Sequence, residues 1–474
     1  MQIRFRPPLW IPAALATSVL SAPPASSPTD AFLDASKGRW EEVSDRIWDY
    51  SETALQEKKS AELLAGILEK EGFTVTRGVA GMPTAFVASA GSGAPVVGIL
   101  AEYDALPGLS QKGGEAQKSP RVAGGAGQGC GHNLFGAAAV AAAVAANQAR
   151  IAGKLPGTIR LFGTPAEEQL IGKPFMLRDG VFAGTDVVLV WHPAASTYVG
   201  TKPRLAITAV DVEFFGKTAH AAANPWLGRS SLDAVELFDH ALALMREHIL
   251  PTARVHRVIK DGGLAANIIP DYARVQWFVR DATGASVTEM LGRMRKAADG
   301  AALATETTAT VTVLGGTREP IYNDALSRAV QKELDRVGPP RFDASDVALA
   351  KAIQKEIGIP ETGLVDKVLP YGPGHGGEAS SDIGEVSAAL PLAELSVVTG
   401  PADSPWHHWA VTSCSASPIG RKGMLVAAKV LAATMVDLLI DAPAIAAAKT
   451  EFTKSTEGKP WVCPFPPDAV PKPY

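Results

Sequence analysis

Four groups of side chains carry the residue types that metal-assisted chemistry needs. The first is Cys130-Gly131-His132-Asn133. A thiolate and an imidazole are good ligands for a borderline divalent metal, and a glycine between them lets the chain fold tightly enough to aim both at one centre. The second is Glu167-Glu168, adjacent carboxylates that repel each other unless a cation stabilises them. The third is His192, between Trp191 and Pro193 at the end of an apolar run. The fourth is His407-His408, flanked by Trp406 and Trp409. Each group alone has an ordinary explanation: a buried cysteine, a solvated acidic pair, a satisfied core histidine, aromatic packing. Together they place a thiolate, several imidazoles and two carboxylates at predicted strand ends or loops of one α/β unit, where ligands of such folds converge. One shared metal site accounts for all four. Such a site suits the cleavage of an unactivated amide. A bound divalent metal lowers the pKa of water to roughly 7 and polarises the carbonyl. A free carboxylate beside it can take the proton and hand it to the leaving amine. Redox catalysis by Cys130 is disfavoured because no second cysteine lies nearby, and a serine hydrolase because no Gly-x-Ser-x-Gly elbow occurs.

The elements that must position these residues are legible from apolar periodicity. Residues 96–100 form a continuous apolar run ending in Ala101-Glu102-Tyr103-Asp104, as a buried parallel strand does when it delivers polar groups at its carboxyl end. Runs at 158–163 and 187–191 behave likewise, ending near Glu167-Glu168 and His192. Helical spacing marks two helices within 34–72, and 73–76 and 84–88 read as short strands. From about residue 203 the pattern becomes strand, helix, two strands, helix, strand, the signature of a small α+β sandwich. Its first helix, 230–249, opens with Ser230 and Asp233 spaced as a capping box. A long helix at 423–439 returns to α/β character. The expected architecture is therefore α/β, a mostly parallel sheet with helices on both faces, interrupted by an inserted α+β sandwich that serves dimerisation or as a lid. The expected boundaries are a leader at 1–28, a catalytic unit at 29–203 and 319–445, the insert at 204–318, and a proline-rich tail at 446–474.

Composition bounds the partners. The chain has 474 residues, a net charge of −4, 46% hydrophobic and 20% charged residues, which is a globular composition without the basic footprint of a nucleic-acid binder. Three cysteines cannot build a disulfide framework. Arg4 and Arg6, the apolar run 10–20 and the small residues after it read as a leader, which places the protein in the periplasm or outside the cell if cleaved and in the cytoplasm otherwise. That run is short of the ~20 residues a spanning helix needs, and so is the alanine-rich run 136–146, which reads as a buried helix. No membrane partner is expected.

The sequence resembles the aminoacylase/carboxypeptidase G superfamily of metal-dependent amidohydrolases, and within it the p-aminobenzoyl-glutamate hydrolase group, in its B-type subunit form. The motifs that carry the resemblance run from Ala101-Glu-Tyr-Asp-Ala-Leu-Pro107 and Gly129-Cys-Gly-His-Asn133 through Gly163-Thr-Pro-Ala-Glu-Glu168, Trp191-His-Pro193, Gly216-Lys-Thr-Ala-His220, Gly228-Arg-Ser-Ser-Leu-Asp-Ala234 and Asn267-Ile-Ile-Pro270 to Ser381-Asp-Ile-Gly384 and His407. The resemblance implies two divalent metal ions per subunit, zinc or manganese. Cys130 would bridge them, and His132, Glu168, His192 and His407 would complete the ligand set. Glu167 would act as general base and then acid, Asp104 would orient a ligand, and His220 would stabilise the tetrahedral oxyanion, reaching into a neighbouring subunit. Asn267 and Arg280 would hold a substrate carboxylate. The implied substrate is a small N-acyl or N-aroyl amino acid such as p-aminobenzoyl-glutamate. The implied assembly is a homodimer or a heterodimer with a paralogous subunit. A dipeptidase, a xenobiotic-amide hydrolase and a non-catalytic subunit are the competing readings. The residue after the metal histidine is Asn133 where many relatives have aspartate, and export would be atypical of the group.

Overall fold

The computed structural model describes residues 27–377 and 379–473. The leader expectation lies outside them except at its last two residues, where Ser27 already caps the first helix and Pro28 begins it. In chain order the elements are α1 (Pro28–Ala35), α2 (Lys37–Tyr50), α3 (Lys58–Lys70), β1 (Thr74–Arg77), β2 (Phe86–Ser92), β3 (Val96–Ala101), α4 (His132–Gly153), β4 (Gly157–Gly163), α5 (Gly172–Arg178), β5 (Val187–Ala194) and β6 (Tyr198–Val199). There follow β7 (Ala206–Phe215), α6 (Ser231–Met245), β8 (Arg254–Asp261), β9 (Tyr272–Asp281), α7 (Gly284–Thr305) and β10 (Thr308–Thr317). The chain continues with α8 (Asp324–Val337), α9 (Ala344–Glu356), α10 (Ile383–Ala389), β11 (Leu392–Val398), α11 (Trp409–Ser415), α12 (Pro418–Ile440) and α13 (Ala442–Ser455).

These strands make two sheets. The larger has seven strands in the order β1-β2-β4-β3-β5-β11-β6. Its central four, β4, β3, β5 and β11, are mutually parallel, and the strands outside them pair antiparallel. The mixed α/β class expected from the sequence is thus what the chain adopts, with parallel pairing confined to the centre. Parallel strands must be buried on both faces. The apolar runs of β3, β5 and β11 supply that burial, and α4 and α12 pack against each other over the sheet. Both helices are long and apolar enough to cross a membrane, which the shorter stretch read from the sequence did not suggest. Their most apolar windows are 78% and 67% buried, however, so both are covered core helices.

The smaller sheet, β10-β7-β9-β8, is antiparallel throughout and lies wholly between residues 206 and 317. Helices α6 and α7 cover one face, with Phe238, Trp277, Val287 and Met294 in its core. The Ser230 hydroxyl accepts the Asp233 amide, but Asp233 returns its carboxylate to that hydroxyl rather than to the Ser230 backbone, so only half of a capping box forms.

Two expectations change. The 34–72 region holds parts of three helices, because Ser36 breaks the register between α1 and α2. The segment assigned to a proline-rich tail begins as α13, a regular helix with Pro443 in its first turn, where a missing N–H costs nothing. Beyond it the chain is extended and runs back over the molecule. Trp461 Nε1 donates to Glu385 of α10 at 2.6 Å, Phe465 stacks on Phe175 of α5 with centroids 4.7 Å apart, and Arg178 Nη1 donates to the Ala469 carbonyl at 2.7 Å.

Candidate metal centre and active site

The chemistry-bearing residues sit at the carboxyl ends of the central strands. Glu102, Tyr103 and Asp104 follow β3, and Glu167 and Glu168 form a short turn after β4. His192 lies within β5 and His132 opens α4, where Gly131 adopts φ 80° and lets the chain reverse after Cys130. His407 arrives from the loop before α11, held by its N–H on the Gly129 carbonyl at 3.1 Å. Ala166 and His407 both take φ 57°, a left-handed conformation uncommon for non-glycine residues.

Second partners fix each imidazole. His132 Nδ1 donates to Asp104 Oδ1 at 2.9 Å, which leaves Nε2 as the nitrogen that can ligate a metal. The other Asp104 oxygen accepts the Glu168 amide at 2.9 Å, so one carboxylate sets both a ring and a turn. His192 Nδ1 donates to the Pro193 carbonyl at 2.7 Å, and its Nε2 lies 3.6 Å from Cys130 Sγ. His407 Nε2 lies 3.3 Å from Glu168 Oε2. Two ligand sets converge: Cys130 with His132 and His192, and Cys130 with Glu168 and His407, the atoms of each set lying within 4.8 Å of one another. Cys130 is common to both, the placement a bridging thiolate needs. Glu167 belongs to neither set and stands 3.9 Å from His132 Nε2.

A pair of divalent cations fits these residues. His132 Nε2 and Glu168 Oε1 are buried and have no hydrogen-bond partner in the protein, an orphaned state that metal coordination resolves. Burial pushes the Cys130 thiol up, and the nearby Glu168 carboxylate pushes it further. Burial likewise holds Glu168 well above the usual carboxylate range. Burial and the Arg204 cation keep His192 neutral. Burial opposes protonation of His132, but Cys130 and Asp104 outweigh it and draw a proton to the ring. Without a cation the cluster retains protons that metal would displace.

The set opens onto a cavity of about 600 Å³ lined by Cys130, Glu167, Glu168, His192 and His407. Arg204, Tyr198, Phe278, Arg280, Ser380 and Trp406 line it as well. Arg204 is buried and paired with Glu394, which also accepts from Tyr322. Arg280 reaches the cavity from the end of β9, so the insert contributes to the wall.

The structure brings together Asp104, Cys130, His132, Glu167, Glu168, His192, His407 and Arg280. It does not bring His220 and Asn267 to them. These two neighbour each other, through the Asn267 carbonyl that accepts the Ala221 amide at 3.0 Å and a bridge between His220 and Ile268. They lie before the start of β9, whereas Arg280 is at its end, and eight residue steps of strand alone span about 26 Å. Asn267 and Arg280 of one chain therefore cannot grip one carboxylate. His220 Nδ1 accepts the Ala222 and Ala223 amides at 3.1 Å, which turns Nε2 outward. His408 caps α11 by accepting the Ala410 amide, which separates its position from that of His407. Sequence reasoning missed Glu102, buried with Oε2 3.3 Å from His132 Nε2, and Lys173, fully buried between Glu102 and Asp382. Glu102 had a signal, being the first residue beyond a buried strand; Lys173 had none.

A mixed α/β sheet with an inserted sandwich, carrying a thiolate-centred pair of ligand sets beside a free glutamate, defines a metal-dependent hydrolase acting on amides. Residues 98–467 match Peptidase family M20/M25/M40, and the chain belongs to that family. It is 38% identical to the B-type subunit of p-aminobenzoyl-glutamate hydrolase from Escherichia coli (strain K12), over 94% of this chain and 98% of that protein. It is 31% identical to the Xaa-Arg dipeptidase of Mus musculus over 89% and 90% of the two chains. Among solved structures it shares the fold of a dinuclear metal-binding M20 peptidase from Bacillus subtilis, with a TM-score of 0.53, 19% identity, and 84% and 99% of the two chains covered.

Proposed function

We propose that the protein hydrolyses the amide bond of an N-acyl or N-aroyl amino acid whose amino-acid part is anionic, with p-aminobenzoyl-glutamate as the model substrate. The observation that carries this reading is the charge of the cavity. Among its described lining residues the only carboxylates are Glu167 and Glu168, which belong to the ligand cluster, while Arg280 brings a cation to the same cavity. A dipeptide's free ammonium, or the arginine side chain named for the mouse relative, would meet no further carboxylate among the described lining residues, whereas a substrate carboxylate would be drawn to the cationic side of the cavity that Arg280 provides.

Cys130, His132, Glu168, His192 and His407 would hold the metals, which supply an activated water and a polarised carbonyl. The thiolate and imidazoles suit zinc, and the carboxylate also admits manganese. Asp104 orients His132 through Nδ1. Glu167, unligated and within the cavity, takes the proton of the attacking water and delivers it to the leaving nitrogen. His220 Nε2 and Asn267 serve the cavity of a neighbouring subunit, identical or paralogous; the E. coli relative is itself named as a subunit. A non-catalytic role is disfavoured because no ligand or base is missing. Residues 1–28 are read as an export leader, to be tested by the amino terminus of the protein recovered from the periplasm.

The deciding experiment is a panel of N-acyl amino acids and dipeptides assayed with zinc- or manganese-reconstituted enzyme. Preference for N-aroyl glutamate or aspartate is expected. Faster cleavage of unblocked dipeptides would overturn the proposal.

A further inference from the structure

Beside the ligand cluster lies a group of charges that the reaction as described does not use. Lys173, in the first turn of α5, has no exposed surface. Its ammonium is 2.7 Å from Glu102 Oε1 and also contacts Asp382 Oδ1, and its backbone N–H donates to Asp382 Oδ2 at 3.1 Å. Glu102 Oε2 faces His132 Nε2 at 3.3 Å. Glu102, His132 and Glu167 form a third set of ligand atoms within 4.8 Å of one another, sharing His132 with the first Cys130-centred set. That corner competes for a cation: it offers two carboxylates and the same nitrogen that the Cys130-centred position requires. If a metal settled there, Glu167 would become a ligand and cease to be a base. A fixed cation already occupies the neighbourhood. Two buried carboxylates close to one ammonium are strongly held by it, and breaking such a pair leaves an uncompensated charge.

We propose that Lys173 is a positioning residue, an internal ammonium that binds Glu102 away from the metals, so that the metals stay in the two Cys130-centred positions and Glu167 stays unligated. The inference rests on the dinuclear reading of the site. Lys173 touches neither substrate nor metal; it acts through Glu102. Asp382 is the second anchor and fixes where the ammonium sits, since it holds both ends of the lysine.

Cobalt(II) is the probe, because its visible spectrum reports the ligand set and a thiolate ligand adds a charge-transfer band. The wild type should take up two cobalt ions per chain. Lys173→Met should shift the visible bands as Glu102 enters the coordination sphere, and lower kcat by about 10²-fold or more, in the range of a lost general base, with KM changed far less. Neutralising both carboxylates as well, in the Glu102→Gln/Lys173→Met/Asp382→Asn variant, leaves no unpaired charge from the three residues. It should restore the wild-type spectrum and most of kcat. That triple variant keeps the test decisive if the single one does not fold. A Lys173→Met protein that binds two cobalt ions with an unchanged spectrum overturns the inference alone, as does a triple variant that stays as impaired as the single. A wild type that takes up no cobalt overturns the dinuclear reading, and this inference with it.

Discussion

Glu167 and Glu168 are neighbours in sequence yet meet different demands. The turn after β4 aims Glu168 at His407 and leaves Glu167 facing His132 without a place in either Cys130-centred set. Glu167→Gln keeps the shape and removes only the base. It should retain both metals and lose turnover by ~10²–10⁴-fold, measured as kcat alongside elemental analysis. Near-normal turnover at full metal content would rule out the assigned role. Cys130→Ser should do the reverse, because a hydroxyl is a poor bridge. Metal content should drop, and unchanged stoichiometry would make Cys130 a mere core residue. Most of this site was legible in the sequence. Cysteine, histidine and paired glutamates at the ends of apolar runs are unusual enough to stand out. Glu102 stands in the strand-end run but is given no role there, and Lys173 has no spacing signature, so that burial alone makes the lysine notable.

At the scale of elements, close approach decides what each turn tolerates. A Cβ on Gly172, at the start of α5, would stand 1.9 Å from the Pro165 carbonyl in the turn that leads to Glu167. Gly172→Ala should cost about 1–3 kcal/mol in denaturant unfolding and reduce bound metal, since the glutamate turn must move. A variant as stable and as fully metallated as the parent would show that the turn has slack. Far from the site, Arg336 of α8 bonds both oxygens of Asp30 in α1, at 2.5 and 3.3 Å. Burial raises the pKa of Asp30, but the Arg336 guanidinium, together with hydrogen bonds from Ser27, more than offsets it and holds the carboxyl below its ordinary 3.8. A depressed folded-state value means stability that is present above the unfolded-state pKa and lost as the pH falls through the folded one. Asp30→Asn should therefore cost about 1 kcal/mol at neutral pH and progressively less below pH ~4. An equal cost at both ends would exclude the ion pair as its source. The elements themselves were read well where burial is two-sided, as in β3, β4 and β5. The reading failed at α13, where Pro443 in the first turn and the prolines beyond the helix hid fourteen helical residues whose main signal is alanine content.

For the whole molecule, the decisive fact is the separation of Arg280 from His220 and Asn267 along β9. One chain carries both halves of the proposed substrate grip but cannot close them on one ligand. If a second subunit completes each cavity, inactive His220→Ala mixed with inactive Glu167→Gln should regain activity. Each mixed dimer then holds one site with both groups intact and one with neither. Proven subunit exchange without regained activity would confine His220 to its own chain or exclude it from catalysis. A neighbour docked on the insert should bury at least ~1,000 Å² in sedimentation-competent dimers. A fully active monomer would contradict this arrangement.

The extended segment after α13 touches α5 through Phe465 and α10 through Trp461, the two elements that bring Lys173 and Asp382 together. This strap is synthesised after every element it joins. On the ribosome the sheets and helices can form while it is still in the exit tunnel, so the strap docks on α5 and α10 once both are already in place.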